Sequence, residues 1–178
     1  MKKITFIAVL LALIWQANAQ QQRQDISFTN RHELKLCPAH LIGGSIRIDY
    51  EFLLNDWSSV GASGLYSFSR IFSGYGSWTR GQVLGLYRLY FGRQPVSGFF
   101  LEGNFGVTMG SYYGWEFWST RERIDYTAFG LGMALGWKWY IERSGIVLDL
   151  FVGGGRLFND SEGPGAFPRA GITVGRRF

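Results

Sequence analysis

The chain has 178 residues, 17% of them aromatic and 17% charged, with 25 glycines, one cysteine and a formal net charge of +5. That length holds one domain; the lone Cys37 excludes an intramolecular disulfide, and no cluster of Lys and Arg on one element points to nucleic acid. Beyond Ala19 no apolar run approaches the roughly 20 residues of a spanning helix, so entry into a membrane would require a closed barrel, in which every backbone group is paired.

Lys2 and Lys3 precede an apolar stretch from Ile4 to Trp15, and Ala17-Asn18-Ala19 has the small-x-small form of a cleavage site. This order predicts a secretory signal peptide over 1–19, cut near Ala19. Residues 20–30 read as a short disordered leader, and the domain spans 31–178.

From there the apolar residues recur with period two, and turn residues punctuate them. Eight strands are expected: 31–37, 43–54, 58–70, 79–92, 97–115, 122–141, 145–158 and 167–178. Asn55-Asp56, Gly92 to Pro95 and Glu142 to Gly145 read as tight turns. Residues 71–78, 114–121 and 159–166 are longer or aromatic connections, and Pro38 to Ile42 is a short one. Short turns alternating with longer loops and an even strand count predict an all-β fold: an eight-stranded antiparallel up-and-down transmembrane barrel of the bacterial outer membrane.

The strands also fix which face is which. Ile46, Ile48, Tyr50, Phe52 and Leu54 alternate with Arg47, Asp49 and Glu51; Phe99, Leu101, Phe105, Val107 and Met109 alternate with Glu102 and Asn104. Phe129, Leu131, Met133, Leu135, Trp137 and Trp139 alternate with small residues and Lys138. Ile146, Leu148, Leu150 and Val152 oppose Asp149, and Ala170, Ile172, Val174 and Phe178 oppose Gly171, Thr173, Gly175 and Arg177. A one-residue slip would turn the charged set outward. At roughly 2–4 kcal/mol for each basic residue at a bilayer midplane, the total is on the order of 10 kcal/mol, the whole stability of a domain.

The inward set is then Glu33, Asp49, Glu51, Glu102 and Asp149 against Lys35, Arg47, Arg88, Lys138 and Arg177. Five acids against five bases predict a lumen charge network of ion pairs. Eight strands leave an interior that side chains fill, so a filled polar lumen without an open pore is expected. Inward glycines (Gly130, Gly132, Gly136, Gly171, Gly175) would make room for long neighbours such as Arg88 and Tyr140. Trp57, Trp78, Trp115, Trp118, Trp137, Trp139 and Tyr140 lie near strand ends, as interfacial girdles do.

The stretch LKLCPAHLIGGSIRIDYEFLLNDWSSVGASGLY, followed by glycine-aromatic hairpins and a terminal Phe178, resembles a family of small outer-membrane barrels of unknown function, common in Bacteroidetes and related to OmpA/OmpX-like barrels. The likeness covers most of the chain beyond the signal and is most specific from Leu34 to Gly61. Cys37 stands where a small polar residue is expected, and Arg176 interrupts the apolar set of the last strand. Phe178 matches the assembly signal read by a barrel-assembly machinery. The family suggests no catalytic residues.

Chemistry is sparse. His32 and His40 begin no HExxH pattern, and one cysteine makes no zinc set, so neither a metal nor a cofactor is expected. Gly153-Gly154-Gly155 reads as relief of crowding. A lipid A-modifying enzyme would use His40 with Ser111 or Ser119; a weak calcium site could form at Asn159, Asp160, Ser161 and Glu162; Gly76-Ser77-Trp78 imitates a lipocalin pattern, but a lipocalin would turn its charges outward. The expectation is a monomeric, non-enzymatic protein with a structural or surface-interaction role, and a small-solute channel or carrier is the alternative. Its partners would be outer-membrane lipid, lipopolysaccharide and a surface partner met through Tyr75, Trp115, Trp118, Arg121 and Arg123. Arg121 and Arg123 could pair with lipopolysaccharide phosphates.

Overall fold

A computed structural model describes residues 30–68, 77–113, 123–158 and 164–178. It contains all eight strands that the period-two pattern predicts: β1 (His32–Leu36), β2 (Ser45–Asn55), β3 (Ser58–Ser67), β4 (Ser77–Tyr90), β5 (Gly98–Tyr113), β6 (Arg123–Ile141), β7 (Ile146–Phe158) and β8 (Ala166–Arg177). A short helix, α1 (Pro38–Ile42), fills the β1–β2 connection, with proline in its first turn, where its missing N–H costs nothing.

Each strand pairs antiparallel with its sequence neighbour, and β1 pairs with β8, which closes the barrel. The closing ladder sets Glu33 opposite Arg177 and Leu36 opposite Val174. Past its end, the His32 and Phe178 amides donate to each other's carbonyls at 3.0 and 2.8 Å. The His32 ring stacks on Phe178 at 5.9 Å, and Tyr50 Oη lies 2.7 Å from its Nδ1.

Three connections and the His32–Phe178 junction lie at one end, the turn end. Asp56-Trp57 is tight because Asn55 Oδ1 accepts from the Trp57 amide at 3.1 Å and from Ser58 Oγ at 2.9 Å. Glu142 to Gly145 closes on Gly145, whose φ of 70° suits glycine. The third differs from the tight turn expected at Gly92 to Pro95: it runs from Phe91 to Ser97 and folds inward. Val96, at φ 44°, is fully buried, and its amide donates to the Asp56 carbonyl of the neighbouring turn at 2.8 Å. α1 and the opposite ends of the strands mark the other end, the loop end.

The alternation has the predicted phase. Along β2 every second residue from Ser45 to Leu53 is buried, and the residues between face out or partly out. Asp149 is 0% exposed while its neighbour Leu150 is 49% exposed. The exterior carries Val83, Leu101, Phe105, Met109, Leu131, Met133, Leu135, Leu150, Val152 and Ile172. Among the described residues, outward charges on the strands occur only toward the ends: Arg80, Asp125 and Arg156 at the loop end, Arg176 at the turn end. Arg176 sits opposite Ile146 and Leu34. There it stands between the outward Val174 and Phe178, close to the edge of the apolar belt, and a long stem lets its charge reach past that edge. Trp57, Trp137 and Trp139 face outward near the turn end, as expected of a girdle. Tyr140 does not; it points inward, and the Arg177 guanidinium stacks over its ring at 3.8 Å.

The interior is layered. Leu84, Leu86, Tyr126, Ala128, Leu157 and Phe167 form an apolar cluster toward the loop end. Leu53, Tyr90, Val96, Phe100 and Phe151 form another toward the turn end. Inward glycines admit these rings, not Arg88 and Tyr140. A Cβ on Gly136 would come within 2.6 Å of Phe100 Cζ, and one on Gly130 within 2.8 Å of Phe167. Gly175 instead accommodates the Lys35 stem, and Gly155 the Phe167 ring.

Candidate functional site

The inward positions of β1, β2, β4, β5, β6, β7 and β8 converge on one set of charges. All ten residues predicted for the lumen network are buried: Glu33, Lys35, Arg47, Asp49, Glu51, Arg88, Glu102, Lys138, Asp149 and Arg177. Some ion pairs are ladder neighbours, such as Arg88 with Glu102. Others cross the lumen.

Glu51 is the hub. It accepts from Lys138 Nζ at 2.8 Å, Arg88 Nη1 at 2.9 Å and Ser59 Oγ at 2.6 Å, and also from Lys35 Nζ and Tyr90 Oη. Five donors from four strands saturate one carboxylate, which is how a buried charge is made tolerable. Lys35 and Arg88 both reach Asp149 Oδ2 at 2.8 Å. Glu33 takes Lys138 at 2.8 Å and the Arg177 Nε at 2.8 Å. Arg177 also donates to the Val96 carbonyl at 3.2 Å, tying the inward-folded turn to the network. Cations lie over rings as well: Lys138 over Tyr90 at 4.6 Å and Arg88 over Phe100 at 4.5 Å.

Toward the loop end the network thins. Arg47 Nε donates to Asp49 Oδ1 at 3.1 Å and to Ser63 Oγ at 3.2 Å. Arg169 forks onto Glu102, with Nη2 to Oε2 at 3.2 Å and a second contact from Nε to Oε1. Asn104 Nδ2 also donates to Glu102 at 3.2 Å. Arg169 is absent from the predicted set, and its burial corrects the balance: the described lumen holds six bases against five acids. Its signal was present, because it lies two residues before Gly171 in the same inward phase. The pattern read for the last strand began one residue too late, at Ala170.

His40 sits at the loop end on α1, which packs against β2 and β8. Its Nδ1 lies 3.1 Å from Ser45 Oγ, and that hydroxyl donates to the His40 carbonyl at 3.1 Å. Partial burial, helped by the positive charge of Arg47, holds its pKa below the usual histidine value. Ser111, the described hydroxyl considered as its catalytic partner, is on β5 opposite Asp125. Cys37 is buried at the start of α1, its Sγ filling the space over Gly171. Among the described residues, no group of three His, Cys, Asp or Glu side chains has a metal-binding arrangement.

The expected surface contacts Tyr75, Trp115, Trp118 and Arg121 lie outside the described residues, as do Ser119, the loop 159–162, the signal peptide and residues 20–29 of the leader. Arg123 opens β6, but only its backbone is described. Phe178 is exposed beside His32.

No family model and no curated protein matches the chain. Two solved structures resemble it in outline. One is the N-terminal β-barrel domain of Pseudomonas aeruginosa OprF, at 14% identity over 84% of this chain and 100% of that one, with a TM-score of 0.49. The other is the Yersinia pestis outer membrane protein Ail in a phospholipid bilayer nanodisc, at 11% identity over 84% of this chain and 99% of that one, with a TM-score of 0.45. The eight-stranded closed barrel stands on this chain's own strand ladder.

Proposed function

We propose that the chain is an outer-membrane β-barrel protein, monomeric and non-enzymatic, with a structural or surface-interaction role. One observation carries this reading: leucine, isoleucine, phenylalanine and methionine cover the outside of a barrel whose ionised groups are sealed inside. Water-soluble monomers rarely expose apolar patches beyond several hundred Å²; here the belt circles the molecule. Hydrocarbon is the solvent that such a belt suits. The same polarity speaks against a lipocalin, which hides its apolar face. The resemblance of the Leu34–Gly61 segment to small Bacteroidetes-type barrels agrees with this reading.

The filled lumen favours the structural role over a small-solute channel or carrier. Ion pairs from β1, β2, β4, β6 and β7 meet across it, and the turn-end cluster lies beneath them. Such a barrel serves as a scaffold that displays its loops, where Tyr75, Trp115, Trp118, Arg121 and Arg123 would meet lipopolysaccharide or another surface. Phe178 would present the assembly signal to the barrel-assembly machinery.

The test is membrane fractionation with heat-modifiable gel mobility, followed by planar-bilayer recording. The expected result is a protein that pellets with outer membrane, shifts on boiling and passes no steady current. Solubility in detergent-free buffer would overturn the membrane reading, and a stable conductance would replace the scaffold with a channel. Loss of lipopolysaccharide affinity on replacing Arg121 and Arg123 together is expected; unchanged affinity would remove that partner.

A further inference from the structure

We propose that the loop-end side of the lumen holds a binding site for a small inorganic anion, chloride being the simplest, between Arg47 and Arg169.

Charge comes first. Six buried bases face five buried carboxylates among the described residues. Lys35, Arg88, Lys138 and Arg177 share Glu33, Glu51 and Asp149, and Arg88 also draws on Glu102. Among the described residues the shortage of negative charge therefore falls on Arg169, whose ion-pair partner is its share of Glu102, and on Arg47, whose ion-pair partner is Asp49. An excess buried cation is strongly destabilising unless something offsets it.

Geometry comes second. Arg47 and Arg169 are 3% and 2% exposed, and each keeps one buried nitrogen without a hydrogen-bond partner, Nη2 and Nη1 respectively. Both guanidiniums lie against the same ring, 4.7 and 5.1 Å from the centroid of Phe151, so the two like charges are at most about 10 Å apart. An anion accepting from both would satisfy two orphaned donors and offset the excess charge in one step. Asp49 Oδ2, Asn104 Oδ1 and Thr173 Oγ1 are unpartnered too, as are Arg88 Nη2 and Asp149 Oδ1 in the denser part of the network, where three carboxylates already surround Arg88. Bridging water suits those acceptors, but neutral water leaves the extra positive charge in place.

His40 stands at the rim of the site. It is half-buried on α1, with Arg47 and Asp49 facing it from β2 and Arg169 and the Ala170 backbone from β8. Those two arginines and its own burial favour its neutral form. A bound anion reverses part of that bias, so anion binding and His40 protonation assist each other.

The test is the linewidth of chloride NMR, with chloride itself as the probe, on the full chain folded in zwitterionic micelles. Quadrupolar broadening reports exchange with a bound site. The native barrel is expected to broaden the signal, more strongly as pH falls from about 8 to about 5. Arg169→Gln is expected to weaken binding about tenfold, the loss of a charge-assisted contact, while still shifting on boiling. Should Arg169→Gln fail to fold, Arg47→Gln serves the same purpose, since Asp49 keeps Ser63. His40→Gln is expected to keep the broadening and lose its pH dependence. No broadening by the native barrel, or broadening unchanged in the folded arginine variants, would overturn the site and leave water alone as the occupant.

Discussion

The two halves of the lumen solve the same problem differently. Toward the turn end, Glu51 takes five donors, and Lys35, Arg88 and Lys138 are each shared among carboxylates from several strands. Toward the loop end, Arg47 answers mainly to one aspartate and Arg169 to one glutamate, and each, like Arg88 in the other half, keeps an unpartnered nitrogen. A densely shared network ties strands across the barrel, and losing one member orphans several others. A sparse one tolerates loss and retains capacity for something else. The contrast separates a fastening from a site.

The largest expected effect breaks the fastening. Glu51→Leu would leave Lys35, Arg88, Lys138 and Tyr90 facing an apolar stub, at a cost of about 3–5 kcal/mol. Urea unfolding in lipid vesicles should register it as a large fall in midpoint. Next comes the exterior: Leu150→Arg, on the apolar belt, should cost about 2–4 kcal/mol if the belt lies in hydrocarbon. Near-neutrality of that change would contradict lipid burial. Arg47→Gln should cost less than either, about 1 kcal/mol, because Ser63 still serves Asp49. Equal losses at Glu51 and Arg47 would erase the distinction between the halves.

The smallest effect is in pH. His40 has a folded-state pKa below its unfolded value, so the unfolded chain binds the extra proton first. Its contribution is fully present above the unfolded value, near 6.5, and is lost as pH falls through and below it. Unfolding midpoints measured with low chloride should therefore decline on mild acidification, and His40→Gln should flatten that decline.

Much of this was legible in the sequence because a barrel strand writes its environment every second residue. Arg47, Asp49 and Glu51 between Ile46, Ile48, Tyr50 and Phe52 leave one sensible phase, and the ladder follows it. The partners of each charge were not legible. Lys35 meets Asp149 and Arg88 meets Glu51 through the stagger of the closed sheet and side-chain reach. Arg169 was legible in phase and missed at a boundary, where alternation is weakest. The inward fold of Phe91–Ser97 depends on Val96 adopting a positive φ, which a β-branched residue rarely does and local propensity does not predict. The glycine partners Phe100, Phe151 and Phe167 likewise come from other strands.

If the apolar flank faces acyl chains and the ionic flank is enclosed, an outward residue of β7 lies in hydrocarbon. The most direct test attaches a spin label through Leu150→Cys, in a Cys37→Ser background, to the barrel folded in vesicles, and compares collisions with oxygen and with a water-soluble nickel chelate. The account predicts frequent collision with oxygen, which concentrates in hydrocarbon, and little with the chelate. Ready access to the chelate and poor access to oxygen at that position would contradict it.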